Sequence, residues 1–396
     1  MTDHHPTTHR DARQRRVIVI GAGIAGLATA LRLHRDGWDV LVVERAPARR
    51  SSGYLVNLHG PGYDAVERLG LIPALAARDI GFFRSILVDA DGREKFTVPS
   101  EVAQAAVGTR ALTIFRGDLE TVLYEAVADT VEIRFATVPH AVTQDTAGVD
   151  VALSDGTRIR ADLLVGADGV RSRTRALVFG DDPGHLRDLR HMVAAFSLPE
   201  PPAGIPEGAG TTYIGPRRTA AVMNLGPHRS ATFFTYRCDD TAAEYARGPE
   251  RALTAAFGDL GGATAQALAQ VTATAYFDAA TQVTLDGLHR GRVVLVGDSA
   301  WCVTVFAGYG AALAIDGADR LGAALSRHGD IPTALAAWET ELGPEIHKRQ
   351  ALARRGVSRF APPTRAHVMA GELALRAIQL PGIRALVRRS IQRANN

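Results

Sequence analysis

The chain predicts an α/β fold: a parallel sheet of βαβ units, interrupted by a mostly antiparallel sheet and closed by C-terminal helices. Three observations carry this. Arg16 to Arg45, "RVIVIGAGIAGLATALRLHRDGWDVLVVER", reads as buried strand, glycine turn, amphipathic helix and second buried strand. Between His185 and Leu285 helical periodicity fades, and Gly/Pro turns separate short apolar runs such as "TAAVMNLG" and "SATFFTYR". From Gly291 a buried strand returns, followed by helical patterns to the end of the chain.

Taken in order, Val17 to Ile20 is the apolar run of a strand covered on both faces, Gly21 to Gly26 turns, and Leu27, Ala30, Leu31 and His34 recur at helical spacing. Gly37 marks the helix stop and Val40 to Val43 the second strand. "GPGYDAVERLGLIPALAARDIG" is helical, with Val66, Leu69 and Leu75 apolar, and "RSILVDADGREKFTVP" alternates about Asp91-Gly92 as a hairpin does. "FRGDLETVLYEAVAD" predicts a helix with Leu119, Val122, Leu123 and Val127 on one face. "VEIRFATV" and "GVDVALSDGTRIRADLLVGADG" predict strands with a turn at Asp155-Gly156, and "VRSRTRALVF" opens a basic helix. One helix is expected inside the antiparallel region, near "PERALTAAFGDL". "GYGAALAIDGADRLGAALSRHG" predicts a long helix of small residues. Everything from Ile331 is expected to be helical. The basic end "RALVRRSIQRANN" is read as packed across the domains rather than laid on a membrane.

Bulk properties narrow the function classes. The chain has 396 residues, 46% hydrophobic, and its mean hydropathy is −0.00. No run of about 18 apolar residues appears, so no membrane span is expected. The opening "MTDHHPTTHRDARQRR" lacks an apolar leader stretch and reads as a polar tail, its histidines solvated. The formal net charge is +3, and the basic residues are scattered rather than striped, which argues against a nucleic-acid groove. The cysteines Cys238 and Cys302 are too few for a metal cluster or a disulfide scaffold. Cys302 is read as a small buried residue. No metal site is expected, and a cytoplasmic enzyme, monomeric or homodimeric, is the default.

The glycine turn carries the first chemistry. In Gly21-Ala22-Gly23-Ile24-Ala25-Gly26, Gly21 permits the tight turn, Gly23 lets a pyrophosphate approach the backbone, and Gly26 lets helix and strand pack closely. The following helix offers free N–H groups and a partial positive charge to the phosphates. Glu44, at the end of the second strand, can accept hydrogen bonds from ribose hydroxyls and disfavours a 2′-phosphate. The turn therefore implies NAD or FAD, without choosing between them.

Two later stretches, "ADLLVGADGVRSRTR" (Ala161 to Arg175) and "GRVVLVGDSAWCVTVFAGYGAALAIDGADRLGAAL" (Gly291 to Leu325), together with the glycine turn, resemble the group A flavin monooxygenases. This is the para-hydroxybenzoate hydroxylase-like family, which includes aromatic polyketide hydroxylases and tetracycline-inactivating monooxygenases. "GYLVNLHGPGYDAVERLGL" and "FRGDLETVL" are similar to it as well. The sequence departs from the family where Val305 replaces a common proline, where Tyr309 replaces a common glutamine, where Ala311-Ala312 stand in place of asparagine, and where "IDGAD" replaces "EDA".

The resemblance implies a Rossmann-like FAD-binding domain made of residues 16–78, 105–184 and 286–330, after a tail at 1–15. It implies a substrate domain from 79–104 and 185–285, and a C-terminal helical segment, 331–396. Gly21, Ala22, Gly23, Ile24, Ala25, Gly26, Glu44 and Arg45 would hold the ADP half of FAD. Arg116 would lie near the pyrophosphate or ribityl chain, Asp298 would bind the ribityl chain or ribose, and Asp168 with Gly169 would serve FAD and the approach of reduced nicotinamide. Gly308, Gly310 and Ala311 would run past the flavin ring, where free N–H groups at a helix start can stabilise negative charge at the N1–C2=O edge. Arg171, Arg173 and Arg175, with Arg45, Arg49 and Arg50, are either solvated charge or a docking surface for NAD(P)H phosphates.

The implied reaction is monooxygenation. NAD(P)H reduces FAD, O₂ adds at flavin C4a, and the hydroperoxide hydroxylates or epoxidises an aromatic or polyketide-like small molecule, so no protein nucleophile is assigned. Substrate contacts are expected from Tyr213, Met223, Phe234 and Phe306. The competing readings are a redox-neutral FAD-dependent cyclase or an oxidase in natural-product biosynthesis. Against a flavin-dependent halogenase, the sequence lacks the tryptophan motif and a lysine near the expected flavin; the last reading is a non-catalytic flavoprotein or a simple NAD dehydrogenase, the latter purifying without bound flavin.

Overall fold

The computed structural model describes residues 14–49, 54–227 and 229–378. Its first sheet has strand order His289–Arg290, Val293–Leu295, Leu163–Gly166, Arg16–Ile20, Asp39–Val43, Glu132–Arg134, parallel throughout except for the His289–Arg290 edge. Val17, Ile18 and Val19 are fully buried, as a central parallel strand with helices on both faces requires. The helix Ile24–Arg35 crosses back between the first two chain-order strands of this sheet. It ends where Gly37 predicts: the Gly37 N–H donates to the His34 carbonyl and the Trp38 N–H to the Leu33 carbonyl, with Gly37 at φ +85°. Helix Gly310–Arg327 packs on Ile24–Arg35, and the long helix Ile331–Phe360 packs on Gly310–Arg327 in turn.

The second large sheet is eight-stranded. Its order is Tyr276–Val283, Leu186–Ala195, Ser230–Arg237, Arg218–Asn224, Ala209–Gly215, Arg84–Val88, Glu94–Val98, with Ser197–Leu198 paired beside Ser230–Arg237. All pairs are antiparallel except Arg84–Val88 with Ala209–Gly215. Alternation along the strands splits the side chains between two faces. One face carries Ala194, Ala220, Phe234 and Tyr236 and is covered by helices through Leu253 and Phe257. The other carries Val193, Met223, Ala231 and Ala280 and meets Leu55 and Phe115 of the two-stranded pair Leu55–His59 and Ala111–Phe115, together with Phe306 and Phe360.

The region read as carrying one helix holds three, Thr241–Arg247, Pro249–Phe257 and Gly262–Leu268. The Asp240 carboxylate caps the first by accepting from the Ala242 and Ala243 N–H groups, and Gly248 at φ +76° breaks the chain before Pro249 restarts it. The stretch read as helical from Gly60 is two helices, Pro61–Arg68 and Ile72–Ala76. From Ile331 the described chain is helical in two pieces, Ile331–Phe360, with Pro344 inside it, and Arg365–Ile378. The segment "RALVRRSIQRANN" lies outside the described residues, as do the histidine-bearing tail and Arg50. No helix among the described residues is long and apolar enough to cross a membrane, and no group of three or more His, Cys, Asp or Glu among them is placed to hold a metal ion.

Candidate active site

The glycine turn sits at the carboxyl end of Arg16–Ile20, where parallel α/β sheets leave their crevice. A methyl group on Gly21 would lie 2.4 Å from the Ala167 carbonyl oxygen, and one on Gly26 would lie 1.8 Å from the Gly21 carbonyl oxygen. Both positions are sterically closed to any side chain. Gly23 is the reverse case: nothing lies within 4 Å of where its Cβ would be. Tight packing below and open space above is the shape that admits a pyrophosphate against backbone N–H groups.

Glu44 reaches across from the next strand. Its carboxylate accepts from the Ala22 N–H at 2.8 Å and from the Ala46 N–H at 2.8 Å, which fixes it beside the turn. Arg45 is exposed at the same strand end. Ile24 and Ala25 are buried in the first turn of the helix, so they contribute packing and, through the helix terminus, backbone N–H groups.

Beyond this turn a cleft is marked by residues that are at once accessible and crowded. Arg116, Tyr54, Tyr276 and Asp298 keep accessible surface there although protein packs densely around each of them. Arg116 pairs with Glu120 at 2.8 Å and lies over the Tyr54 ring at 5.6 Å; the Tyr54 and Tyr276 rings are 5.1 Å apart. Confinement raises the Asp298 carboxyl above its ordinary range, while the Arg116 charge and the Cys302 thiol act to lower it. Burial likewise pushes the Tyr54 phenol up to about 12 and the Cys302 thiol well above its usual value, which leaves Cys302 a protonated, unreactive neighbour. The surface depressions lined by Arg15, Asp36 and Trp38, and by Leu198, Pro201 and Asn224, share none of these residues.

The loop at Val305–Ala307 leads into Gly310–Arg327. Gly308 is exposed at φ +60°, and Ala307, Gly310 and Ala311 are half-buried, so the backbone here faces the cleft. Tyr309 turns the other way. Its ring is buried with the Arg349 guanidinium 3.7 Å from its centre and the His59 ring at 5.1 Å, anchoring the loop to helix Ile331–Phe360 and to strand Leu55–His59. Thr304 enters the loop at φ +71°, a conformation costing about 1–3 kcal/mol for a residue with a side chain.

The structure distributes the remaining expected site residues unevenly. The Asp168 carboxylate is taken up by its own turn: it accepts from the Ser172 hydroxyl at 2.5 Å, the Thr174 N–H at 2.9 Å and the Thr174 hydroxyl at 3.1 Å. Arg175 is a buried strut that donates to the carbonyls of Ser299 and Val170. Arg171 is exposed and joins the domains by donating to the Asp278 carboxylate at 3.0 Å and the Tyr245 hydroxyl at 2.7 Å. Arg173 is exposed, and Arg49 donates to the Thr121 hydroxyl.

Met223 and Phe306 lie on the cleft side of the large sheet. Phe234 and Tyr213 do not. Phe234 is fully buried on the far face against Phe196 and Phe257, and Tyr213 packs into the same helix-covered cluster beside Arg218. A strand's period of two separates faces without saying which one meets the cleft. Phe233, one residue earlier, holds the position expected of Phe234. Tyr276, Phe233 and Phe360 carried no signal in the sequence beyond their aromatic character, and Tyr54 stands in the family-like stretch "GYLVNLHGPGYDAVERLGL" without being singled out there.

A glycine cradle for a dinucleotide, opening onto an aromatic cleft under an antiparallel sheet, defines a two-domain flavoprotein. A model of the FAD binding domain family matches residues 14–330. An FAD-dependent monooxygenase of Sarocladium schorii is 30% identical over 374 residues, spanning 87% of this chain and 88% of its own. The tetracycline destructase Tet(51) superposes with a TM-score of 0.78 at 26% identity, over 95% of this chain and 98% of its own. HpxO of Klebsiella pneumoniae, solved with FAD and uric acid, shares the fold with a TM-score of 0.79 at 23% identity, over 96% and 97% of the respective chains. The chain belongs to the FAD binding domain family and, within it, to the group A flavin-dependent monooxygenases.

Proposed function

We propose that this enzyme uses NAD(P)H and O₂ to hydroxylate or epoxidise an aromatic or polyketide-like small molecule, with FAD as its resident cofactor. The observation that carries the reading is the continuity of the cradle at Gly21–Gly26 and Glu44 with an aromatic cleft walled by Tyr54, Tyr276, Phe233 and Phe306. The residues fit the cofactor: open space at Gly23 for phosphates, a carboxylate at Glu44 for ribose hydroxyls, and Arg116 and Asp298 farther along the cleft for the polar chain that follows.

Reduced FAD, when bound, supplies the electrons that activate O₂. The chain's own residues bind, orient and shield. The first-turn N–H groups of Gly310 and Ala311 have no intrahelical acceptor, and they would stabilise negative charge on a ring lying against the loop. Tyr309 and Arg349 hold that loop from behind. The aromatic walls exclude water, which protects a reactive oxygen donor from wasteful breakdown. Arg171, Arg173, Arg45 and Arg49 present positive charge near the cleft mouths for the phosphates of NAD(P)H.

The test is direct. The pure protein should show a bound-flavin spectrum, and candidate aromatics should accelerate NAD(P)H and O₂ consumption with one oxygen atom added to the product. Flavin without aromatic-stimulated O₂ uptake, but with rearranged product, would move the assignment to a redox-neutral cyclase. A colourless protein would end the reading.

A further inference from the structure

We infer that His191, Thr235 and Thr219 form a subsite that accepts a neutral hydroxyl group of the substrate, set in a rim of Phe233, Phe306 and Phe360. This rests on the monooxygenase reading and specifies what that site takes.

The three polar residues sit on adjacent strands of the large sheet and share its cleft-side face. Thr219 pairs in register with Thr235, Thr235 pairs with Val193, and His191 lies two residues before Val193. Each is at least nine-tenths buried, with relative exposures of 6% for Thr219, 0% for Thr235 and 5% for His191. The Oγ1 atoms of both threonines and Nε2 of His191 have no hydrogen-bond partner among the described residues. Native interiors rarely leave a buried polar atom unpaired, because each costs about 1–3 kcal/mol. Neighbouring orphans on one face mark a place where a partner belongs. An apolar rim surrounds them: the Phe306 ring stands edge-on to His191 at 5.7 Å, Phe306 and Phe360 are 5.3 Å apart, and Phe360 and Phe233 are 6.1 Å apart.

The chemistry of the orphans selects the ligand. The Leu189 carbonyl lies 2.6 Å from His191 Nδ1, so Nδ1 carries the proton and donates. In the neutral ring Nε2 is then an acceptor only. Burial favours that neutral ring, with Arg237 and Arg217 acting in the same sense and Asp188 and the Leu189 carbonyl opposing. A substrate O–H satisfies Nε2 by donating to it, and its oxygen can accept from a threonine hydroxyl. A carboxylate brings only lone pairs to Nε2. Arg237 and Arg217, the cations that act on His191, are both exposed, and Arg217 is paired with Asp239. Phe306 immediately precedes the cleft-facing loop at Ala307–Gly310, so a group held here belongs to a molecule reaching that loop.

The experiment titrates the FAD-loaded full chain with 2-naphthol, 2-methoxynaphthalene and 2-naphthoate, following perturbation of the bound-flavin absorption. The naphthol is expected to bind about tenfold more tightly than its ether and its acid analogue. His191→Phe should bring the naphthol-to-ether ratio to about one, Thr235→Val should lower it severalfold, and His191→Gln, which restores an acceptor, should recover part of it. Unchanged melting temperatures and flavin content certify the variants as folded. Equal binding of naphthol and ether, naphthoate binding as tightly as naphthol, no perturbation by any of the probes, or discrimination that survives His191→Phe would each overturn the subsite. The last outcome would leave these atoms to ordered water alone. Bound flavin and aromatic-stimulated O₂ uptake in the same samples would keep the monooxygenase reading intact, whereas a protein that binds no flavin removes both.

Discussion

Gly26 and Gly23 stand three residues apart in one turn, yet alanine at each should fail for opposite reasons. At Gly26 the added methyl would be 1.8 Å from the Gly21 carbonyl oxygen and 2.9 Å from its carbon, both backbone atoms that have no rotamer to escape into. Relieving a contact that close demands a shift of roughly 1.5 Å in the turn or the helix, in a core packed to near crystal density. Overpacking of this kind costs about 1–3 kcal/mol, and here lies at the upper end. At Gly23 the methyl meets nothing, and its backbone, φ −83° and ψ −173°, is one that alanine adopts freely. Apoprotein stability of Gly23→Ala should therefore hold or rise by about 0.4–1 kcal/mol through the less flexible unfolded chain. The same methyl, however, fills the space a pyrophosphate needs.

Both variants should lose flavin; only Gly26→Ala should lose stability. Thermal unfolding of the flavin-stripped proteins, paired with calorimetric titration of FAD, reads the two effects separately. A Gly23→Ala variant that binds FAD like the wild type, or one destabilised as much as Gly26→Ala, would refute the cradle geometry.

Further outcomes follow from the same site. The Asp298 carboxyl is raised above its ordinary value of 3.8, so the folded state holds its proton more tightly than the unfolded one and this residue's contribution to stability falls as pH rises through that range. Asp298→Asn should accordingly stabilise the apoprotein at neutral pH and lose that advantage toward pH 4 in parallel melting curves, while weakening FAD binding. Phe234→Ala should cost about 3–5 kcal/mol in denaturant unfolding, as a cavity in the far-face core, and Phe233→Ala should instead raise substrate KM with little loss of stability. Arg171→Ala removes an exposed ion pair worth at most about 1 kcal/mol, so its melting temperature should hold while KM for NAD(P)H rises severalfold in steady-state assays.

Much of the candidate site was legible because its demands are local. A turn that must pass under Ala167 and beside its own helix admits only glycine at Gly21 and Gly26, and the acid at Glu44 follows at the end of the next strand. Gly308 and Gly310, expected to run past the flavin ring, lie in an open loop instead of a closed turn: nothing lies within 4 Å of where a Cβ on Gly308 would be, and Gly308 is at φ +60°. Asp168 and Arg175 were less legible. Asp168 was expected to serve FAD, and Arg175 to be solvated charge or a docking point for NAD(P)H; in the structure the Asp168 carboxylate accepts from Ser172 and Thr174, and buried Arg175 donates to the Val170 and Ser299 carbonyls. Tyr309, which stands where the family commonly has glutamine, packs backward under Arg349.

By itself, then, the amino-acid sequence determined the class of fold and a βαβ cradle for a dinucleotide, because backbone sterics, burial periodicity and helix termini act over a few residues; the choice of FAD over NAD came from the resemblance of the later motifs. Tertiary structure alone decided which face of the large sheet looks into the cleft. It seated Phe233 there rather than Phe234, brought Tyr54, which precedes strand Leu55–His59, against Tyr276 of the large sheet, and set His191, Thr219 and Thr235 on adjacent strands of one face. Strand alternation is symmetric between two faces, and only the packing of one sheet upon another breaks that symmetry.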